Sequence, residues 1–326
     1  MGNDPAAGTC LCEAYASVTE QSAIAAGRWL GRGDEVGARD AAAETMFRAL
    51  DGLATDATVV TGAAAEGEPD PPMKRLGRGG EAVHLAVDPL EGTEVVSRGG
   101  TGAMSMIAAG EPDTVPALPD MYMRKIAVGP VGRGRIDLLA PIAENVASVA
   151  DAFGRKPNDI TAIVLDRPRH HDLLEELRES GARIKLILDG DVTSTINAAI
   201  RGTNDHISVG IGGSRQAIIA AAALTCLGGE IQAQLWPTSR SEIAAARESG
   251  VSDIERVLTT QELAPKNAIV AATGISNGDL LRGVRYLGDS ARTHSVVMCF
   301  RCNRVRFVDG MHFYDRERRE EVRLLG

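Results

Sequence analysis

Residues 83–93 have the sequence VHLAVDPLEGT, in which an apolar run leads into a turn with two carboxylates. The run 83–87 predicts a buried strand that ends at Asp88, because the following proline cannot donate to a strand ladder. Glu91 follows three residues later, Gly92 permits a tight turn, and Thr93 adds a hydroxyl. Carboxylate oxygens are the ligands that Mg²⁺ and Mn²⁺ prefer, and phosphate oxygens complete their shell. The pattern favours a metal and phosphate site over a solvated turn.

Two other acidic points stand beside glycine. Asp34 ends the sequence LGRGD, and residues 66–70 read EGEPD inside a stretch, 62–80, that is rich in glycine, proline and charge. That stretch predicts a long functional loop. Two divalent ions held by such carboxylates would neutralise a phosphate and hold an attacking water.

The rest of the chain predicts an α/β fold. Helices are expected from about 16 to 30 and from about 40 to 53, the second capped by Asp40. Beyond residue 141, strands alternate with helices, apart from a polar excursion at 237–265. Only 3% of residues are aromatic, so the core must consist of small aliphatic side chains. We expect a flexible tail (1–15), an N-terminal metal-binding half (16–140) and a C-terminal half (141–326) that completes the pocket.

Composition excludes several classes of protein. The net charge of −9 argues against a nucleic-acid binder, and no apolar run is long enough to span a membrane. The N-terminus lacks the pattern of a signal peptide. The cysteines include two close pairs, Cys10 with Cys12 and Cys299 with Cys302. The first spacing is tighter than usual for zinc, so reduced thiols in a cytoplasmic protein are the favoured interpretation.

Several motifs together resemble one family. DPLEGT at 88–93 resembles the metal-binding motif of the class II (GlpX-type) fructose-1,6-bisphosphatases, within the lithium-sensitive, inositol-monophosphatase-like superfamily. The same family order is followed by RWLGRGD (28–34), PDMYM (119–123), RPRH (167–170), LDGDV (188–192), GIGG (210–213) and ATGI (272–275). The resemblance implies a layered αβαβα sugar-phosphatase fold, Mn²⁺ or Mg²⁺ as cofactor, and a homo-oligomer, a dimer or tetramer, active in carbohydrate metabolism such as gluconeogenesis.

The resemblance also implies roles for individual residues. Asp70 and Thr93 match the pair that activates water. Metal ligands match at Asp34, Glu66, Asp88, Glu91 and, with a changed side chain, Gln216. Substrate contacts match at Glu91, Gly92, Thr93, Tyr122, Arg167, Arg169, Asp189, Asp191 and Gly213. Guanidinium groups suit phosphate oxygens, and carboxylates accept hydrogen bonds from sugar hydroxyls.

Two departures from the family pattern affect the metal site. The family's Gly-Glu-Gly-Glu run appears here as GAAAEGE (62–68), so either three residues precede Glu66 as an insertion or Ala63 occupies the ligand position. Gln216 stands where the family has a metal-binding glutamate, and Arg215 beside it adds positive charge. A weaker or missing metal is the expected result.

The sequence therefore predicts metal-dependent hydrolysis of a sugar phosphate, with the 1-phosphate of fructose 1,6-bisphosphate as the first candidate. One alternative is a phosphatase for another sugar phosphate or bisphosphate in a specialised pathway. A second alternative is a catalytically weak homologue that binds sugar phosphates or a partner protein.

Overall fold

A computed structural model describes residues 10–62 and 73–314 of the chain. The helices are α1 (Cys12–Gly27), α2 (Glu35–Asp51), α3 (Thr93–Arg98), α4 (Ile142–Ala152), α5 (His171–Glu179), α6 (Asp191–Ala199), α7 (Ser214–Leu227), α8 (Arg240–Glu248) and α9 (Thr260–Leu263). The strands are β1 (Thr55–Gly62), β2 (Lys74–Leu76), β3 (Glu81–Glu91), β4 (Met104–Gly110), β5 (Tyr122–Val128), β6 (Thr161–Leu165), β7 (Arg183–Ile187), β8 (Ile207–Gly213), β9 (Glu230–Leu235), β10 (Leu258–Thr259), β11 (Ile269–Gly274), β12 (Arg285–Tyr286), β13 (Ser290–Cys299) and β14 (Arg304–Phe313).

The strands form two mixed sheets. The first sheet has the order β12-β13-β11-β4-β3-β1-β2, and β14 pairs with β13. Within it, β1 and β3 are parallel and their neighbours are antiparallel. The second sheet has the order β10-β9-β5-β8-β6-β7, in which β6 runs parallel to both β7 and β8.

Helices cover both faces of each sheet, which produces five layers. Helices α1 and α2 pack on the outer face of the first sheet, and α4 and α5 on the outer face of the second. Helices α6 and α7 lie between the sheets. Strand β4 shows the alternation: Met106 and Ala108 face the middle layer, whereas Ile107 and Ala109 face the outer helices. The predicted αβαβα fold is confirmed.

Small side chains allow α7 to lie between two sheets. Its sequence is SRQAIIAAAALTCL, and the residues from Ala217 to Leu224 are all buried. Alanine faces permit close approach of the backbones, and Ile218 and Ile219 fill the remaining space. The low aromatic content of the chain therefore suits a core built from several thin layers.

The first two helices begin earlier than predicted. Helix α1 starts at Cys12, so residues 12–15, expected in the tail, are helical and Tyr15 is fully buried. Helix α2 starts at Glu35 and is capped by Asp34, whose Oδ1 accepts from the Gly37 backbone N–H at 2.8 Å. The prediction of Asp40 as the cap was wrong, because Ala38, two residues before it, is already helical and buried in the core.

The two sheets do not divide the chain at residue 140. Strand β5 (Tyr122–Val128) already belongs to the second sheet, and residues 269–313 return to the first. The polar stretch 237–265, expected as an excursion, contains α8, β10 and α9. Among the described residues, no helix is long and apolar enough to cross a membrane.

Removing side-chain volume from the middle layer should destabilise the whole fold. We expect Ile219→Ala, which truncates a fully buried side chain between the sheets, to lower the free energy of unfolding by about 2–5 kcal/mol. Urea unfolding followed by circular dichroism would measure the change. The control is Leu139→Ala at a side chain that is 64% exposed, expected to stay within about 0.5 kcal/mol of wild type. Equal effects of the two substitutions would contradict the layer assignment.

Candidate active site

A cleft of about 450 Å³ lies where the end of β3 meets the ends of strands from the second sheet. The residues that line it are Glu35, Arg39, Asp88, Pro89, Leu90, Glu91, Gly92, Thr93, Glu94, Tyr122, Leu165, Arg167, Arg169, Asp189, Asp191, Gly212, Gly213, Arg215 and Gln216. Of the site residues predicted from sequence within the described ranges, all but Asp34 are in this set. Glu66 and Asp70 lie outside the described residues. The fold thus brings Asp88 and Glu91 at the end of β3 in the first sheet next to Arg167 and Arg169, which follow β6 of the second sheet.

Strand β3 continues past Pro89, contrary to the prediction that pairing stops there. Asp88 is paired with Met106 and Glu91 with Met104. An advance of three residues along β3 thus corresponds to only two residues along β4. The extra residue makes a bulge, which bends the strand and redirects its side chains. Both Asp88 and Glu91 are therefore held on paired backbone rather than in a loose turn, and both are buried.

The Glu91 carboxylate joins β3 to the start of α6. One oxygen, Oε1, accepts from the Val192 backbone N–H at 2.7 Å, and Oε2 accepts from the Thr193 hydroxyl at 3.0 Å. A carboxylate at a helix N-terminus satisfies free first-turn amides and is favoured by the helix dipole. Each oxygen keeps a further lone pair for another ligand.

Gln216 bonds directly to Asp88. Its Nε2 donates to Asp88 Oδ2 at 2.7 Å. The first turn of α7 places Gln216 there, and Arg215 beside it also lines the cleft. The amide therefore supplies Asp88 with a hydrogen-bond donor at a position where the resemblance implies a second carboxylate. This arrangement lowers the negative charge of the carboxylate cluster.

Burial controls the ionisation of these carboxylates. It raises the pKa of Asp88 above the ordinary value, while the charge of Arg215 and the bond from Gln216 act in the opposite direction. Burial, followed by the neighbouring charge of Asp88, raises the pKa of Glu91 well above its ordinary value. The pKa of Asp189 is also raised, mainly by burial. Buried carboxylates of this kind favour either a proton or a cation close by.

Arginines line the opposite side of the cleft. Arg169 donates from Nε and Nη2 to the Ile211 carbonyl at 3.1 and 2.8 Å, and its guanidinium lies 4.7 Å from the Tyr122 ring centroid. Arg167 Nη2 lies 3.4 Å from Glu94 Oε2. These contacts orient the two guanidinium groups, and Arg39 and Arg215 add two more to the lining.

His170 holds the arginine-bearing turn in place. The side chain is buried: Nδ1 lies 2.7 Å from the Leu165 carbonyl, and Nε2 accepts from the Ile211 N–H at 2.7 Å. These partners fit a neutral ring with its proton on Nδ1. Burial lowers the pKa of His170, which keeps the ring neutral.

Sequence reasoning missed Lys125 beneath the site. It lies within β5 and is buried, with its ammonium paired with the Asp191 carboxylate and donating to the Gly213 carbonyl at 3.0 Å. A lysine inside an apolar strand is a detectable signal, because a buried ammonium requires an acidic partner. Glu35, Arg39 and Glu94 were also missed. Glu35 and Arg39 line the cleft because α2 begins at Glu35, and the sequence analysis placed the start of this helix later.

Comparison with known proteins identifies the chain's relatives. Residues 10–312 match the family described as bacterial fructose-1,6-bisphosphatase, glpX-encoded. The chain belongs to this family. It is 36% identical to a D-fructose 1,6-bisphosphatase class 2/sedoheptulose 1,7-bisphosphatase of Synechococcus sp. (strain JA-3-3Ab), over 94% of this chain and 96% of the relative. It is 35% identical to a similarly named protein of Acaryochloris marina, over 94% of this chain and 96% of that relative. The predicted family and the class of phosphoric monoester hydrolase are confirmed.

In this class II bisphosphatase chain, the donor set fits a hard divalent cation. Asp88 and Glu91 provide buried carboxylate oxygens whose burial is unfavourable unless a proton or cation compensates them. Asp34, by contrast, uses its Oδ1 to cap α2. Its predicted role as a metal ligand stays a prediction.

The raised carboxyl pKa values make the metal-free protein lose stability as pH rises. A carboxyl with a folded pKa above its unfolded pKa binds more protons when folded, so deprotonation between the two values lowers the unfolding free energy. In chelator we expect the unfolding free energy to fall as the pH rises above the ordinary carboxyl range. In Asp88→Asn this decline should be shallower, so the stability of the variant relative to wild type should increase with pH.

Chemical denaturation at several pH values in the presence of chelator would measure this effect. The matched control is Asp172→Asn, whose side chain is 99% exposed and which should keep the pH dependence of wild type. An unchanged slope in Asp88→Asn would show that Asp88 carries no ionisation penalty.

Proposed function

We propose that this chain hydrolyses the 1-phosphate of fructose 1,6-bisphosphate with Mn²⁺ or Mg²⁺ as cofactor. The observation that carries the proposal is the cleft itself. It combines two buried carboxylates at the end of β3, the hydroxyl of Thr93 beside them, and the guanidinium groups of Arg167 and Arg169 on the facing sheet. Family membership and the names of the relatives support the same activity.

Asp88 and Glu91 would hold the cation, with the amide oxygen of Gln216 as a neutral third donor after rotation of its side chain. Asp34 and Glu66 remain proposed ligands from the family resemblance. A bound divalent cation supplies electrostatic stabilisation of the phosphate and lowers the pKa of water. The bonds from Val192 and Thr193 keep Glu91 in one orientation, so the chain pre-organises this donor before the cation arrives.

Thr93 is proposed to orient the attacking water. Gly92 has a φ of 94°, and this left-handed conformation turns the chain directly from β3 into α3, with Thr93 as the first helical residue. The Thr93 hydroxyl accepts a proton from water and passes one toward a carboxylate, for which Asp70 is the proposed acceptor. This is general-base catalysis through a hydroxyl.

The second sheet is proposed to bind the substrate's phosphate and sugar. Arg167 and Arg169 are oriented by their contacts with Glu94 and with the Ile211 carbonyl, and guanidinium forks match phosphate oxygens. Asp189 and Asp191 would accept from sugar hydroxyls. The buried ammonium of Lys125 holds Asp191 in position.

Two other functions have specific support. The names of the relatives include sedoheptulose 1,7-bisphosphate as a second substrate, which makes another sugar bisphosphate the first alternative. The bond from Gln216 to Asp88, together with Arg215 in the cleft, supports the second alternative, a weakly catalytic protein that binds sugar phosphates. A homo-oligomer, a dimer or tetramer, located in the cytoplasm also remains a proposal.

Phosphate release tests the proposed reaction directly. We expect metal-dependent release from fructose 1,6-bisphosphate in Mn²⁺ or Mg²⁺ and none in chelator. Asp88→Asn should lower kcat/KM by roughly 100-fold or more, because it removes a ligand charge. Sedoheptulose 1,7-bisphosphate and sugar monophosphates would be assayed in parallel, with Asp172→Asn as the control variant.

The outcomes separate the candidates. Preference for another bisphosphate would support the first alternative. Tight binding of sugar bisphosphates without turnover would support the second alternative. Turnover that survives chelator, or full activity of Asp88→Asn, would reject the assigned metal site.

Gln216→Glu tests how the neutral amide affects metal binding. The substitution places a second carboxylate beside Asp88, so we expect Mn²⁺ to bind about tenfold more tightly. In chelator the same variant should be less stable than wild type, because two adjacent buried carboxylates repel each other. Calorimetric titration and thermal unfolding would measure the two effects. Gln21→Glu, the same change on an exposed face of α1, is the control, and Mn²⁺ affinity equal to wild type in Gln216→Glu would refute the role of Gln216.

A further inference from the structure

Four cysteines from the two ends of the chain meet at one edge of the first sheet. Cys10 and Cys12 stand at the start of α1, Cys299 ends β13, and Cys302 lies in the turn to β14. The four Sγ atoms all lie within 4.8 Å of one another. We call these four residues the cysteine cluster.

The sulfurs of the cysteine cluster are close enough together to bind one tetrahedral ion. Zinc–sulfur bonds of about 2.3 Å place the sulfurs of a tetrahedral site about 3.8 Å apart. Cys10 Sγ lies 3.7 Å from Cys299 Sγ, which matches this separation, and 3.0 Å from Cys12 Sγ, so binding of an ion would move Cys10 and Cys12 slightly apart. Both distances are well beyond a disulfide bond of about 2.05 Å. All five cysteines of the chain are free thiols.

Cys299 and Cys302 are separated by two residues, a spacing typical of paired zinc ligands, and a hydrogen bond joins them. The Cys302 backbone N–H donates to Cys299 Sγ at 3.3 Å. Asn303 takes a φ of 50°, so the chain can reverse immediately after the second cysteine. Hydrogen bonds to sulfur stabilise the thiolate form, which is the form that binds a metal.

The surroundings provide positive charge for a metal–thiolate complex. Four thiolates around Zn²⁺ carry a net charge of minus two. Arg301 lies within the turn and Arg306 follows it on β14. Their guanidinium groups pair with Glu81 and Glu13 at 2.6 and 2.5 Å, and both are close enough to interact electrostatically with cluster cysteines.

We propose that Cys10, Cys12, Cys299 and Cys302 bind one Zn²⁺ as a structural site. A closed set of four protein ligands leaves no position for a substrate, which is typical of structural zinc. The ion would fasten the start of α1 to the β13–β14 hairpin. Cys12 and Cys299 are buried and belong to the hydrophobic core between the first sheet and helices α1 and α2. The zinc site would extend that core to the protein surface.

This site is separate from the catalytic cleft. Arg301, next to the cysteine cluster, pairs with Glu81 at the start of β3, whereas Asp88 and Glu91 stand at its end. Zinc also differs from the proposed catalytic ions in its preference for thiolates over oxygen ligands. The presence of zinc is therefore testable without any measurement of phosphatase activity.

Elemental analysis of the untagged protein tests the proposal. Purification without a histidine tag and without added zinc, followed by dialysis against chelator, removes weakly held ions. Mass-spectrometric elemental analysis should then find about one zinc per chain. In cobalt-substituted protein, the visible spectrum should show tetrahedral thiolate coordination.

Cysteine variants locate the ion. Cys10→Ser and Cys302→Ser should each lower the zinc content by at least about half and lower Tm by roughly 5 °C or more. The matched control is Cys226→Ser, because Cys226 lies outside the cysteine cluster and bonds instead to the Ala268 carbonyl. It should retain a full equivalent of zinc.

Three results would overturn the proposal. The first is wild-type protein without zinc whose four cluster thiols all react freely with a thiol reagent. The second is a disulfide among these cysteines, found by peptide mapping of protein purified without reductant. The third is an equivalent of iron in place of zinc. Because wild-type protein alone decides these outcomes, a variant that fails to fold leaves the test intact.

Discussion

The carboxylate of Glu91 connects the two sheets at the point where the cleft forms. It ends β3 of the first sheet and binds the first turn of α6, which lies in the middle layer next to the second sheet. The bond requires the bulge at Pro89, since a regular strand would send Glu91 to a different face. Arg167 and Arg169 of the second sheet line the same cleft as this carboxylate. One buried side chain thus serves both the packing of the layers and the chemistry of the site.

The charge balance of the cleft depends on Gln216, which stands where the resemblance implies a glutamate. Asp88 accepts from the Gln216 amide and interacts with Arg215, so part of the compensation that a metal would supply is built into the protein. This arrangement favours a stable metal-free state. It also lowers the driving force for cation binding, since the cation must replace a satisfied hydrogen bond. Gln216, in the first turn of α7, would therefore stabilise the metal-free protein and weaken the binding of a cation.

Strands with a clear apolar pattern were predictable, and several others were not. The run before Asp88 was correctly predicted as a strand, and the predicted alternation of strands and helices beyond residue 141 matches α4 to α7 and β6 to β8. Strand β4 (Met104–Gly110) was missed because its residues, rich in alanine and methionine, are buried on both faces and show no alternation. Strand β5 was missed because Arg124 and Lys125 interrupt its apolar run. Lys125 is tolerated there only because Asp191 lies beside it in the fold.

The sequence by itself determined the family, the class of fold and most of the residues that line the cleft. These follow from short motifs such as DPLEGT, in which neighbouring residues carry the chemistry and local backbone preferences place them. Tertiary structure alone decided which distant groups meet: Gln216 with Asp88, Glu91 with α6, and Cys10 with Cys299. Contacts of this kind depend on sheet order and layer packing, in which residues 269–313 return to the first sheet. No local pattern encodes that return, because it arises from burial shared by elements far apart in the chain.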